Sequence, residues 1–132
     1  ALWGHVIAWD GNSDSFWVTW QPADPNEDAQ VTKNVQFRWA VVNGPVWHWV
    51  RVNQWLDAGR FDREWKFKEK GETVLRIAVR EDATMLDVIF ITDNLSAEEA
   101  EAKPRTPNAS DAATPVEVKG KLTSTWAQMK NR

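Results

Sequence analysis

VLRIAVREDATMLDVIFITDN, residues 74–94, is two apolar runs joined by a charged turn. Both runs are rich in Val, Ile and Leu, which suit the half-buried, pleated surface of a strand. The stretch therefore reads as a β-hairpin turning at 81–84. Asp87 breaks the second run, because it is a carboxylate among apolar neighbours. A buried carboxylate must be paired or bound to a metal. Three environments would suit Asp87: an ion pair with Arg80, Arg76 or Arg51, a metal site, or a strand face left open to water.

The strand signals continue towards the N-terminus. LWGHVIAWD, 2–10, alternates Trp3, His5, Ile7 and Trp9 on one face with Leu2, Gly4, Val6 and Ala8 on the other. DGNSD, 10–14, is a turn cluster and SFWVTW, 15–20, a second strand. Two prolines and several turn formers make 21–34 a long loop. VQFRWAV, 35–41, and WHWVRV, 47–52, are strands on either side of a turn at VNGP, 42–45. Residues 54–65 read as irregular, WKF, 65–67, as a short strand, and EKGE, 69–72, as a tight turn. Seven short strands at this spacing predict an all-β fold, an antiparallel β-sandwich or barrel.

After residue 95 the composition changes. SAEEAEAKPRTPNASDAATP, 96–115, is rich in Ala, Glu, Ser and Pro. Ser96 and Glu99 have capping-box spacing for a turn or two of helix, and the rest reads as a linker. In the last segment, 116–132, Leu122, Trp126 and Met129 fall on one face of a short helix that needs something to dock on. The organisation expected is thus a β domain at 1–95, a linker at 96–115 and an amphipathic tail at 116–132.

The 132 residues carry a net charge of -3, which argues against nucleic acid as a partner, because phosphate binding needs a positive field. No stretch has the roughly 20 apolar residues that span a bilayer. With no cysteine, disulfides, thiol catalysis and cysteine zinc sites are excluded. His5 and His48 lack ligand-spaced neighbours, and no phosphate-binding glycine loop or nucleophile elbow occurs. These absences lead us to expect no enzyme. Tryptophan is the outlier: ten Trp, no Tyr and five Phe. Each indole can bury roughly 150–250 Å², and ten cannot all sit inside one small core. Some are therefore expected at the surface or at an interface.

LWGHVIAWDGNSDSFWVTW, GPVWHWVRV and VLRIAVREDATMLDVIFITDN, taken in order over residues 2–94, resemble the galactose-binding-like β-sandwich, or jelly roll, of carbohydrate-binding modules related to families 6 and 35. The resemblance implies a non-catalytic sugar-binding domain attached to a secreted enzyme, and hence an extracytoplasmic place. By position Asp87 resembles a calcium-ligating aspartate of such modules, which implies a structural calcium. The family's turn glycine is Ala83 here, so that turn must avoid positive φ or carry strain. The family pattern also has earlier strands with acidic calcium ligands, and without them the sheet would keep an open edge that invites strand pairing.

If consecutive strands alternate in direction, the 10–14 and 42–46 loops, the 69–72 turn and the end of the last strand share one rim. That rim gathers Asp10, Asn12, Asp14, Asn43, Trp47 and Asn94. A flat indole for the C–H face of a pyranose, with amides and carboxylates for its hydroxyls, is what a sugar site requires. Trp47 is the first choice of platform. Trp20 and Trp55, on the opposite rim, come next. A second reading makes the chain a structural or assembly subunit. It would bind protein through its Trp-rich surface, its open edge and the Leu122, Trp126 and Met129 tail.

Overall fold

The computed structural model describes residues 1–56 and 59–105. The described residues are mostly β, with antiparallel sheets and one short α-helix. In chain order the strands are β1 (Leu2–Ala8), β2 (Ser15–Gln21), β3 (Arg38–Ala40), β4 (Gly44–Arg51), β5 (Asn53–Leu56), β6 (Gly59–Asp62), β7 (Val74–Val79) and β8 (Met85–Ile91), followed by helix α1 (Glu99–Ala102). They form a sheet of order β4-β1-β8, a sheet of order β3-β2-β7 and the β5-β6 hairpin.

The alternation read in the sequence decides what each sheet buries. Leu2, Val6 and Ala8 of β1 share one apolar cluster with Phe16 and Val18 of β2, Trp39 of β3, Val41 and Val52. The other face of β1 sends Trp3 into a second cluster with Trp49, Phe90 and Ala102. All seven residues of β1 are consequently buried. Gly4 is required by close approach. A Cβ built there would lie 2.3 Å from the Trp39 ring and 2.8 Å from Leu86 Cδ1, so the indole rests directly on the strand backbone.

Both neighbours of β1 are irregular along the same stretch. On β8, His5 pairs with Val88 and Val6 with Leu86, leaving Asp87 as an extra residue. On β4, Val6 pairs with His48 and Ala8 with Gly44, so Pro45, Val46 and Trp47 together oppose Ile7. These are β-bulges, and a bulge moves the side chains beyond it to the other face. Leu86 accordingly packs on the first cluster, whereas Val88 and Phe90 belong to the second.

Several expectations need correction. WKF, 65–67, is not a strand, and the irregular stretch expected at 54–65 holds β5 and β6. The strand expected at 35–41 is shortened to β3 by a 3-10 turn over Val35–Phe37. With 65–67 removed, the up-down count slips by one for everything after it. Ile7 pairs with Met85 and Leu2 with Ile91, so the 81–84 turn stands beside the 10–14 loop, and Asn94 is at the opposite rim. Ala83 takes a φ of 66°, the strained option for a residue with a Cβ.

The capping box at Ser96 and Glu99 does not form: Glu98 is the N-cap of α1 and makes no side-chain capping bond. Asn94 supports the segment instead, accepting from the Ser96 amide at 3.0 Å and donating to Glu101 at 3.0 Å. Ala97 and Ala102 are buried, and Arg105 rests over the Phe90 ring at 3.8 Å. Among the described residues no helix is long and apolar enough to cross a membrane.

The Gly4–Trp39 approach yields a direct test. Gly4→Ala is expected to destabilise the fold by about 1–3 kcal/mol, the usual cost of overpacking a filled core. Gly71→Ala, where an added Cβ meets nothing within 4 Å, is expected to stay within about 0.5 kcal/mol of the parent. Urea unfolding of the two variants measures both, and equal midpoints would contradict the packing described.

Candidate functional site

The two bulges throw their extra residues towards the same partner. His5 is buried on the outer face of β1, and its Nδ1 donates to Asp87 Oδ1 at 2.8 Å. The Asp87 side chain is 37% exposed against 8% for His5. From the other side the Trp47 ring stacks on His5, with centroids 5.3 Å apart and planes 20° from parallel, and Trp49 lies 5.2 Å away. Trp47 thus spends one face on the imidazole and remains 40% exposed. Trp9, which follows β1, is 54% exposed.

The question posed by Asp87 is thereby answered. Its partner is His5, not an arginine: Arg80 pairs with Glu81, Arg76 with Asp28, and Arg51 with Asp62 at 3.2 Å. Calcium prefers six to eight oxygen ligands, several of them carboxylates. Among the described residues no group of three or more His, Asp or Glu is placed to hold a metal ion.

The expected rim is brought together only in part. Asp10, Asn12 and Asn43 are exposed at the same end of the sheet as Trp47. The Asp10 carboxylate accepts from the Asn12 amide at 2.8 Å, which shapes the turn. Asn94 is separated from them by the length of β1 and is committed to the helix segment. Asp14 is buried, and its Oδ1 has no hydrogen-bond partner among the described residues.

Asp14 belongs instead to a polar cluster that ties the start of β2 to the 81–84 turn. Its amide donates to Glu81 Oε2 at 3.1 Å, and Ser15 Oγ donates to the same oxygen at 2.7 Å. Arg80 donates to Ser15 Oγ at 2.7 Å and pairs with Glu81. Burial, reinforced by the Glu81 charge, holds the Asp14 carboxyl above its ordinary range. Burial also pushes Glu81 upward, but the bonds from Ser15 and the Asp14 amide and the Arg80 charge outweigh it and hold Glu81 below.

The secondary platforms are engaged elsewhere. Trp20 meets Trp65 and Phe67 edge-on, with centroids 5.5 and 5.1 Å away, and its Nε1 donates to Thr73. It lines a groove of about 330 Å³ at the opposite rim, together with Ile91 and Leu95. The Trp55 ring carries the Arg38 guanidinium at 4.0 Å and Arg60 at 5.3 Å. Leu122, Trp126 and Met129 lie outside the described residues.

His5 and Trp9 are the site residues that sequence reasoning missed. The alternation of β1 already placed both on one face, but Asp87 is 82 residues from His5 and no local spacing links them. Comparison with known proteins found no matching family model, no matching curated protein and no matching solved structure.

The Asp14–Glu81 cluster predicts opposite pH dependences. Asp14, with its folded pKa raised, contributes stability at low pH that is lost as pH rises through the folded value. Glu81, with its folded pKa lowered, contributes stability above the ordinary carboxylate range that is lost as pH falls through the folded value. Glu81→Gln is expected to cost about 1–2 kcal/mol at pH 7 and clearly less at pH 3. Asp14→Asn is expected to stabilise at pH 7 and to lose that advantage at pH 3. Urea midpoints at the two pH values check both, and pH-independent differences would contradict the cluster.

Proposed function

We propose that the chain is a non-catalytic carbohydrate-binding module that holds a polysaccharide on Trp47 and the polar side chains around it. The observation that carries this reading is the part-exposed Trp47 indole, stacked on His5, whose ring nitrogen in turn holds a part-exposed carboxylate. An indole fixed on one face and wet on the other offers a pre-organised plane to the C–H face of a pyranose. Asp87, Asp10, Asn12 and Asn43 supply hydrogen-bonding groups for hydroxyls at that end of the sheet, and Trp9 adds a second exposed indole. The family resemblance over residues 2–94 points the same way. From it we also take the finer fold type, a galactose-binding-like β-sandwich, and an extracytoplasmic place of work.

Affinity electrophoresis against a broad panel of glycans, followed by calorimetry, tests the proposal. Weak, enthalpy-driven binding to at least one polysaccharide is expected. Trp47→Ala should weaken it tenfold or more in a variant that still unfolds cooperatively, with some stability lost because the ring also covers His5. Retardation by no glycan, or full affinity in Trp47→Ala, would contradict the reading.

A second reading, an assembly subunit, draws on a different observation. β7 and β8 are edge strands, and Val74, Val79, Met85, Ile89 and Ile91 on them are exposed. By register Ile89 and Ile91 fall opposite Gly4 and Leu2, on the inner side of the sheet. Such an edge is a template for strand pairing. An assembly role predicts concentration-dependent association in sedimentation, abolished by Ile91→Lys. A monomer at all concentrations favours the binding module.

A further inference from the structure

The charges around Trp47 narrow the class of glycan. This inference rests on the carbohydrate-binding reading and names the ligand of the same site. The three loops at that end of the sheet, with the start of β8, hold five carboxylates: Asp10, Asp14, Glu81, Asp82 and Asp87. Among the described residues the cations in reach are Arg80, tied to Glu81 and Ser15, and Arg60, held over the Trp55 ring. The groove of about 490 Å³ beside Trp47 is lined by Phe16, Ile77, Val79, Thr84, Met85 and Leu86, with no charged side chain among them. A uronate or sulfate would meet repulsion here, and among the described residues no guanidinium or ammonium at this end of the sheet is placed to receive it.

Asp87 is the carboxylate best placed to contact a ligand. The bulge sets it on the outer face, where His5 holds Oδ1 and fixes the rotamer. Its Oδ2 has no hydrogen bond among the described residues. A carboxylate oxygen that is part-exposed and oriented by the same imidazole that backs the indole complements an ammonium group by ion pairing.

We propose that the Trp47 site selects glycans with free amino groups, the pyranose lying on Trp47 and its ammonium donating to Asp87 Oδ2. Calorimetry at physiological salt with β-1,4-linked glucosamine, N-acetylglucosamine and glucose oligomers of equal length, and with an oligogalacturonate, tests this. The glucosamine oligomer is expected to bind at least tenfold more tightly than the glucose oligomer, and the oligogalacturonate most weakly. Asp87→Asn keeps an acceptor for His5 and is expected to abolish most of the amine preference, bringing the glucosamine-to-glucose affinity ratio close to one. Asp87→Glu restores part of the preference, and this second variant separates charge from a folding defect. Glu72→Gln, at the opposite rim, controls for general attraction of a polycation to an anionic protein and is expected to change nothing.

Equal affinity for amino and neutral oligomers overturns the inference and leaves the carbohydrate reading standing. So does an equal loss in Glu72→Gln and Asp87→Asn, or strongest binding to the galacturonate. Binding to none of the four, nor to any glycan in the panel, overturns both.

Discussion

β1 is buried along its whole length, so both of its faces must be covered. That single constraint arranges the rest of the molecule. On the inner side the cover is the Trp39 indole, which lies directly on the backbone because Gly4 has no side chain. The second sheet is drawn in around it through Phe16 and Val18. On the outer side α1 closes the end near Trp3, with Ala102 against Trp3, Trp49 and Phe90. Towards the other end the cover over His5 is Trp47. A helix covers a sheet and is itself wetted by polar residues. A lone indole covers a sheet and leaves its own far face apolar. The proposed site is therefore a by-product of how the strand is buried, and the plane it offers is as rigid as the strand beneath it.

The bulges explain how a charge and an indole reach one imidazole. Without the bulge at 87, the alternation of β8 would place Leu86, Val88 and Phe90 on a single face. With it, Leu86 fills the inner core while Val88 and Phe90 fill the outer cluster, and Asp87 is displaced towards His5. Pro45 has no amide hydrogen to give to the ladder, and its place in the β4 irregularity fits the widening that sets Trp47 over His5. Bulges are a common means of re-aiming a side chain beside a functional site. Asp87 also sits within an edge strand, where a charge discourages pairing with a foreign strand. The unguarded part of that edge is the stretch carrying Ile89 and Ile91.

Much of this was legible in the sequence, because period-two alternation reports burial directly. The strands around Leu2–Ala8, Ser15–Gln21, Val74–Val79 and Met85–Ile91 follow from it, and the excess of indoles implied that some are exposed, as Trp9 and Trp47 are. Direction is a different kind of information. It accumulates as a parity, and one false strand at 65–67 sent Asn94 to the wrong rim. Trp65 and Phe67 look like strand residues, but their rings instead close on Trp20 in a loop. The burial of Asp14 and the pairing of Asp87 with His5 were invisible for another reason. Both depend on contacts more than 60 residues apart in the chain, which no local pattern encodes.

Each indole in the chain reports its own surroundings, so the central claim can be put to the rings themselves. The nitrogen–proton resonances of the assigned indoles would be followed by NMR during titration with the oligosaccharide that binds tightest. The account predicts that the Trp47 signal moves in step with saturation while those of Trp3, Trp39 and Trp49 hold still. Shifts confined to Trp20 and Trp65, or a Trp47 signal unmoved at saturation, would contradict it.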